Sequence, residues 1–230
     1  MPQAPVDRST VPPLTESTRR EAREIIARYP RSRSALLPML HLVQSVQGYV
    51  SPDGITLCAD ELGLTKAEVG AVATFYTMYR RRPAGTYHLG VCTNTLCAVL
   101  GGDEIFAAVK EHTGLAHNET SRDGSISLEH LECNAACDYA PVVMVNWEFY
   151  DNQTPASARD LVDALRAGTP PPPTRGPATL STFTQVSRVL AGFNDSLGAQ
   201  GPAAGHATLA GLELAKQRGD AAPSYPSQES

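Results

Sequence analysis

Two close pairs of cysteines constrain the fold of this 230-residue chain more than any other feature of its sequence. Each pair directly follows a strand-like segment, 87–91 or 126–129, in which the residue pattern alternates. The pairs are Cys92 with Cys97, spaced C-x₄-C, and Cys133 with Cys137, spaced C-x₃-C. If the two strands lie parallel and side by side, both loops emerge at one edge of the sheet. The fold is therefore expected to bring two short cysteine-bearing loops together.

Four thiolates on two loops, two for each iron, suit a [2Fe–2S] cluster. The same four thiolates would also satisfy a tetrahedral zinc site, and a redox dithiol or uninvolved core thiols are further alternatives. Structural zinc sites commonly use C-x₂-C, whereas the wider loops here favour sulfide-bridged iron. The spacing alone leaves these alternatives open.

The remaining cysteine and histidines give weaker signals. Cys58 lies among apolar residues of a predicted helix and is expected to be a small buried hydrophobe. His130 precedes Cys133 by three residues, yet a surface or core role is the better expectation. Gly101-Gly102 predicts a turn and helix entry rather than a nucleotide loop. No hydrolytic triad or paired carboxylates stand out, which favours an electron carrier over a site for substrate chemistry.

Charge and hydropathy exclude several classes of protein. The net charge of −5 gives no basic stripe for nucleic acid, and no apolar run is long enough to span a membrane. The N-terminal segment lacks the apolar stretch of a signal peptide, which predicts a reducing compartment. An odd number of cysteines, five, then favours metal or redox chemistry over a disulfide framework.

The periodicity predicts an α+β protein of four stretches. Residues 1–14 are expected to form a loose arm, and 15–82 a bundle of four short helices with turns at Gly48 and Gly63. The fourth helix begins at a capping box, and its predicted apolar face comprises Val69, Val72, Phe75 and Tyr76. Residues 86–168 follow the order β-α-β-β-β-α, typical of a sheet covered by helices.

The last stretch, residues 169–230, holds 8 of the 18 prolines and is predicted to be an irregular Pro/Gly-rich extension. It contains two short apolar stripes. The first comprises Phe183, Val186, Val189, Leu190 and Phe193, and the second comprises Leu209, Leu212 and, less regularly, Leu214 and Ala215. They are either residual helix in a disordered tail or docking elements for a neighbouring subunit. In the second case, Pro170 to Pro173 would act as a semi-rigid spacer.

Four motifs occur in a fixed order along residues 15–168. They are V-x-T-F-Y-T-M-Y from Val72, V-C-T-N-T-L-C from Val91, D-G-S-I-S-L-E from Asp123 and E-C-N-A-A-C-D-Y-A-P from Glu132. In these motifs the chain resembles the thioredoxin-like [2Fe–2S] subunit of respiratory complex I, the E subunit of the bacterial NADH:quinone oxidoreductase. The resemblance is specific because all four cysteines fall within the motifs.

The resemblance implies a helical bundle followed by a thioredoxin-like α/β domain with one [2Fe–2S] cluster. The implied ligands are Cys92, Cys97, Cys133 and Cys137. It also implies a partner subunit that binds FMN and NADH, further peripheral-arm subunits, and a place on the cytoplasmic side of the bacterial plasma membrane. The equivalent subunit of an NAD-linked hydrogenase or formate dehydrogenase, and a zinc-stabilised interaction module, are the alternatives.

The second cysteine loop departs from the family pattern. Asn134-Ala135 stands where the family usually has Leu-Gly, so a positive φ at Ala135 would be strained. Asn134 tolerates such a conformation better, and a small shift of the loop is expected to compensate and preserve ligation. Glu132 and Asp138 flank this loop, and their charges are expected to lower the reduction potential of a cluster.

Overall fold

The N-terminal part of the protein is a bundle of four helices. The structure, a computed structural model, describes residues 11–193 and 204–223. The helices are α1 (Glu16–Ile26), α2 (Leu36–Gln47), α3 (Pro52–Leu62) and α4 (Lys66–Phe75), with a 3-10 turn at Ser32–Ala35 before α2. Of the expected N-terminal arm, residues 1–10 lie outside the described residues. Within 11–14, the Pro12 carbonyl accepts a hydrogen bond from Gln47 Nε2, and Leu14 packs against the bundle core.

Local capping fixes where these helices begin and end. Ser51 accepts a hydrogen bond from the Gly54 N–H at the start of α3, and Thr65 and Glu68 form both bonds of a capping box at the start of α4. Gly48, after α2, adopts a left-handed conformation that side chains disfavour. The turn positions predicted from the sequence are therefore confirmed.

The second part is a five-stranded mixed sheet covered by helices, which confirms the predicted α+β class. Its strand order is β2-β3-β1-β4-β5, in which β1 pairs parallel with β3 and antiparallel with β4. The strands are β1 (Tyr87–Cys92), β2 (Glu119–Thr120), β3 (Ile126–Leu131), β4 (Val143–Val145) and β5 (Glu148–Tyr150). The associated helices are α5 (Thr95–Val99), α6 (Gly102–Thr113) and α7 (Pro155–Arg166).

A buried polar network joins the bundle to the sheet. Gln44 on α2 accepts a hydrogen bond from the Arg80 backbone N–H at 2.8 Å. The Arg80 guanidinium donates to Glu129 on β3 at 2.9 Å, and His88 Nε2 on β1 lies 2.8 Å from the same carboxylate oxygen. Arg80 thus bonds to the bundle through its backbone and to the sheet through its side chain, which fixes the two parts against each other.

The extension after α7 packs on the rest of the chain. Its helix α8 (Phe183–Leu190) lies on α2, where Ser187 Oγ accepts a hydrogen bond from Gln44 Nε2 at 3.3 Å. Arg188 forms an ion pair with Glu21 of α1 at 2.7 Å. The first apolar stripe is therefore not part of a disordered tail, because Phe183 is buried beside His88 and Trp147. Val189 and Leu190 of the same helix are exposed, so docking of this stripe on a neighbouring subunit stays a prediction.

The last described helix, α9 (His206–Arg218), carries the second apolar stripe, whose leucines are exposed. Residues 194–203 and 224–230 of the predicted extension lie outside the described residues. Among the helices that the structure describes, none is long and apolar enough to cross a membrane.

The fourth helix differs from the prediction at its end. Val69 is buried, but Phe75 is 76% exposed and Tyr76 is also exposed. The buried face of α4 is formed by Val69 and Ala73, and Phe75 lies on another side of the helix. Tyr76 follows the last helical residue. These two aromatic side chains are surface groups rather than core.

Phe183→Ala should lower the free energy of unfolding by about 3–5 kcal/mol, because the ring is 1% exposed and packs 5.2 Å from the Trp147 ring. Leu190→Ala, at an exposed position of the same helix, should change it by less than about 0.5 kcal/mol. Urea unfolding of both variants measures the difference. Equal, small effects would show that α8 is not held on the bundle.

Acid should destabilise the protein through His41, whose burial lowers its pKa to about 4. Between the unfolded value of 6.5 and about 4, the unfolded chain binds a proton that the folded chain resists. The contribution of His41 to the free energy of unfolding is therefore fully present above pH 6.5, and it decreases by up to about 3 kcal/mol towards pH 4. His41→Leu should flatten this slope in urea titrations, and its stability at pH 8 isolates the packing cost. An unchanged slope would contradict the assignment.

Candidate metal centre

The parallel pairing of β1 and β3 sets the position of both cysteine loops. Cys92, the last residue of β1, lies opposite Leu131, the last residue of β3. The loop that carries Cys97 and the loop that carries Cys133 therefore leave the sheet at the same edge, as the sequence predicts. Thr93 N–H donates to the Leu131 carbonyl at 3.3 Å and extends the pairing into the loops.

Each loop holds its two thiols close together. The Cys133 and Cys137 sulfurs are 3.8 Å apart, which matches the edge of a tetrahedron with metal–sulfur bonds of about 2.3 Å. The Cys92 thiol lies near enough to that of Cys97 to raise its pKa, and it donates to the Glu132 carbonyl of the second loop at 3.1 Å. The pair Cys92 and Cys97 is buried, whereas Cys133 and Cys137 are exposed. Among the described residues, no three His, Cys, Asp or Glu side chains gather around one point suited to a single metal ion.

The thiols of the two loops interact electrostatically. Burial raises the pKa of Cys97 to about 11, and the nearby Cys92 and Cys137 add to this shift. The hydrogen bond with Cys133 raises the pKa of Cys137, with smaller contributions from burial, Cys133, Cys92 and Asp138. These contributions indicate that the Cys137 thiol lies near both thiols of the first loop.

The second loop contains a left-handed residue at Ala135, where φ is 52°. Its N–H donates to the Cys133 sulfur at 3.2 Å. The expectation that a shift of the loop towards Asn134 would relieve Ala135 is therefore wrong. The left-handed conformation is at Ala135 and not at Asn134.

The first loop depends on a close approach of α6. A Cβ atom at Gly102 would lie 2.5 Å from the Cys92 carbonyl oxygen and 2.9 Å from that of Cys97. Only glycine lets the start of the helix pack this closely against the loop. The predicted turn and helix entry at Gly101-Gly102 is thus confirmed.

Sequence reasoning missed the groups that surround Asp138. Arg175, from the extension, donates to both oxygens of the Asp138 carboxylate at 3.1 and 3.2 Å. Thr208 Oγ, at the start of α9, donates to the same carboxylate. These hydrogen bonds lower the pKa of Asp138, and the largest contribution comes from Arg175. No sequence signal links these positions to Asp138, because the contacts join residues far apart in the chain.

The other carboxylate of this loop and the other candidates are placed differently. Glu132 accepts a hydrogen bond from Asn94 Nδ2 of the first loop at 3.2 Å. Cys58 lies in the bundle core, where burial raises its pKa to about 12, as expected of a small buried hydrophobe. The His130 ring contacts the rings of Phe106 on α6 and of His117 in the loop before β2.

The surface beside the first loop is apolar. Helix α5 directs three large side chains outward next to Cys97: Leu96, Val99 and Leu100. Val99 is 79% exposed. Exposed large apolar side chains close together in the sequence are typical of a surface that meets another protein.

Comparison with known proteins is consistent with this architecture. The family profile of the thioredoxin-like [2Fe–2S] ferredoxins matches residues 22–166. The E subunit of the NADH-quinone oxidoreductase from Mycobacterium tuberculosis is 60% identical over 222 residues, which is 95% of this chain and 87% of that protein. The NADH-quinone oxidoreductase subunit 2 of Thermus thermophilus is 38% identical over 148 residues, 63% of this chain and 82% of that protein.

Among solved structures, an NAD⁺-reducing [NiFe]-hydrogenase superposes with a TM-score of 0.53 at 18% identity. The match covers 59% of this chain and 23% of that one, and it shows a shared fold. Together with the paired thiols at the sheet edge, the family profile and the mycobacterial relative decide the assignment. The chain belongs to the thioredoxin-like [2Fe–2S] ferredoxin family, within the group formed by the E subunits of NADH-quinone oxidoreductases.

Proposed function

We propose that Cys92, Cys97, Cys133 and Cys137 hold one [2Fe–2S] cluster, through which the chain serves as a one-electron carrier in NADH-quinone oxidoreductase. The observation that carries this proposal is the pairing of thiols on two loops that emerge at the same sheet edge. Two pairs of thiolates match the two irons of such a cluster. The cluster supplies one-electron redox chemistry when bound.

The residues of the two loops provide binding, shielding and hydrogen bonds. Cys92 and Cys97 are covered by protein, while the exposed Cys133 and Cys137 lie towards the surface. The Ala135 N–H donates to the Cys133 sulfur, and a donor of this kind stabilises added negative charge. Glu132 acts in the opposite direction, since its carboxylate disfavours an added electron.

The partner that fits the surface beside the cluster is a protein that binds FMN and oxidises NADH. The outward side chains of α5, with Phe75 and Tyr76 at the end of α4, give this chain apolar groups for such a contact. Other peripheral-arm subunits complete the assembly, on the cytoplasmic side of the bacterial plasma membrane. The proposed division is an arm (1–14), a bundle (15–82), the cluster domain (86–168) and the extension (169–230).

Replacing any one of the four proposed ligands by serine should abolish or alter the cluster, because each iron needs two thiolates. The measurements are iron and acid-labile sulfide content and the paramagnetic resonance signal of the reduced protein, after anaerobic purification. Cys58→Ser, in the bundle core, is the control and should leave the signal unchanged. Loss of the signal in Cys58→Ser but not in Cys137→Ser would refute the ligand set, and stoichiometric zinc without iron in the unsubstituted protein would refute the function.

Ala135→Gly should stabilise the second loop. The left-handed conformation of an alanine costs roughly 1–2 kcal/mol, which the substitution removes. Glycine loses more backbone entropy on folding, and this loss offsets about 0.5–1 kcal/mol of the gain. The matched control is Ala136→Gly, where φ is −111° and glycine should only destabilise. Urea unfolding of the cluster-loaded proteins measures both changes. A loss of stability in Ala135→Gly equal to that in Ala136→Gly would show that Ala135 is not strained.

A further inference from the structure

The extension that follows the family match returns to the proposed ligand loop. The family profile ends at residue 166, and Arg175 lies nine positions beyond it. Its guanidinium contacts both oxygens of Asp138, the residue directly after Cys137. This two-point contact between a planar guanidinium and a carboxylate is among the strongest side-chain ion pairs.

Several independent contacts hold Arg175 in this position. Its guanidinium also donates to Asp151 at 2.8 Å, and it lies over the rings of Tyr139 and Phe149, 5.3 and 5.2 Å from their centroids. The preceding residue, Thr174, is tied to β5 by a backbone hydrogen bond to the Phe149 carbonyl at 2.9 Å. The side chain is only 14% exposed, so the guanidinium has little freedom to leave Asp138.

Burial makes this charge effective at the loop. The side chains of Asp138 and Asp151 are 21% and 9% exposed, so water and salt screen the group less than they screen a surface pair. Without Arg175, Asp138 would keep an uncompensated negative charge directly after Cys137. An electron added nearby would then meet more negative charge.

We propose that Arg175 is a positioning and charge-compensating residue that raises the reduction potential of the [2Fe–2S] cluster by neutralising Asp138 and fixing the loop that carries Cys133 and Cys137. This inference rests on the proposed function. It assigns the segment after the family match a role in the electron-transfer site itself. It also means that Glu132, rather than Asp138, supplies the uncompensated negative charge of this loop.

Redox titration of the cluster-loaded protein, followed by paramagnetic resonance, tests the proposal. Arg175→Gln should shift the midpoint potential downward. Arg175→Lys keeps the positive charge, so its midpoint potential should stay much closer to that of the unsubstituted protein. Asp138→Asn should shift the potential upward. The double variant Asp138→Asn/Arg175→Gln should return close to the unsubstituted value, since the pair is neutral in both proteins.

Arg20→Gln is the matched control, because it removes a positive charge from an exposed position of α1 in the bundle. It should leave the potential unchanged, and the shift in Arg175→Gln should persist in added salt.

Equal potentials in Arg175→Gln, Arg175→Lys and the unsubstituted protein would overturn the inference. A double variant whose potential is no closer to the unsubstituted value than that of either single variant would also overturn it. If Arg175→Gln fails to fold, the double variant Asp138→Asn/Arg175→Gln is compared with Asp138→Asn alone. A potential no lower in the double variant would then overturn the inference, because the two proteins differ only at position 175. Absence of iron from the unsubstituted protein would instead refute the proposed function.

Discussion

The parallel pairing of β1 with β3 is the constraint on which the rest of the structure depends. Parallel neighbours end at the same edge of a sheet, so the two cysteine loops meet only if this pairing and its register are kept. A slip of one residue would turn Cys92 to the other face of the sheet. The antiparallel partner β4 on the other side of β1, and the glycine-dependent approach of α6, hold that register from two directions.

The bundle is joined to this sheet by charge and hydrogen bonds rather than by apolar packing alone. Glu129 lies on β3, the strand that leads into the second cysteine loop, and it binds both His88 of β1 and Arg80 after the bundle. Burial opposes its ionisation, yet the hydrogen bond from His88 and the charges of Arg80 and His117 lower the pKa of Glu129 overall. The ionised carboxylate therefore joins the two paired strands to the helical part.

The features that could be predicted from the sequence are those with local causes. The capping box at Thr65, the left-handed glycine after α2 and the two strand-and-cysteine units each need only a few neighbouring residues. Helix α8 begins with a similar capping box, formed by Thr182 and Gln185, so its start was also predictable. Its place on α2 was not, because the buried bond between Gln44 and Ser187 joins distant positions, and an apolar stripe does not identify the surface that covers it.

Ala135 and Arg175 show two further limits of local reasoning. A strained φ was predictable from alanine in place of glycine, but whether the loop would shift to relieve it depends on the path of the whole folded loop, in which φ of Ala135 is 52°. Arg175 reaches Asp138 because Thr174 extends the edge of β5, and the proline-rich segment itself carries no sign of that contact. The extension thus covers α2 with α8 and brings a cation to the ligand loop. A chain that ended at residue 166 would expose the Trp147 ring now packed by Phe183 and leave Asp138 without its ion pair, so the segment after the family match supports both the stability of the bundle and the electrostatics of the proposed metal centre.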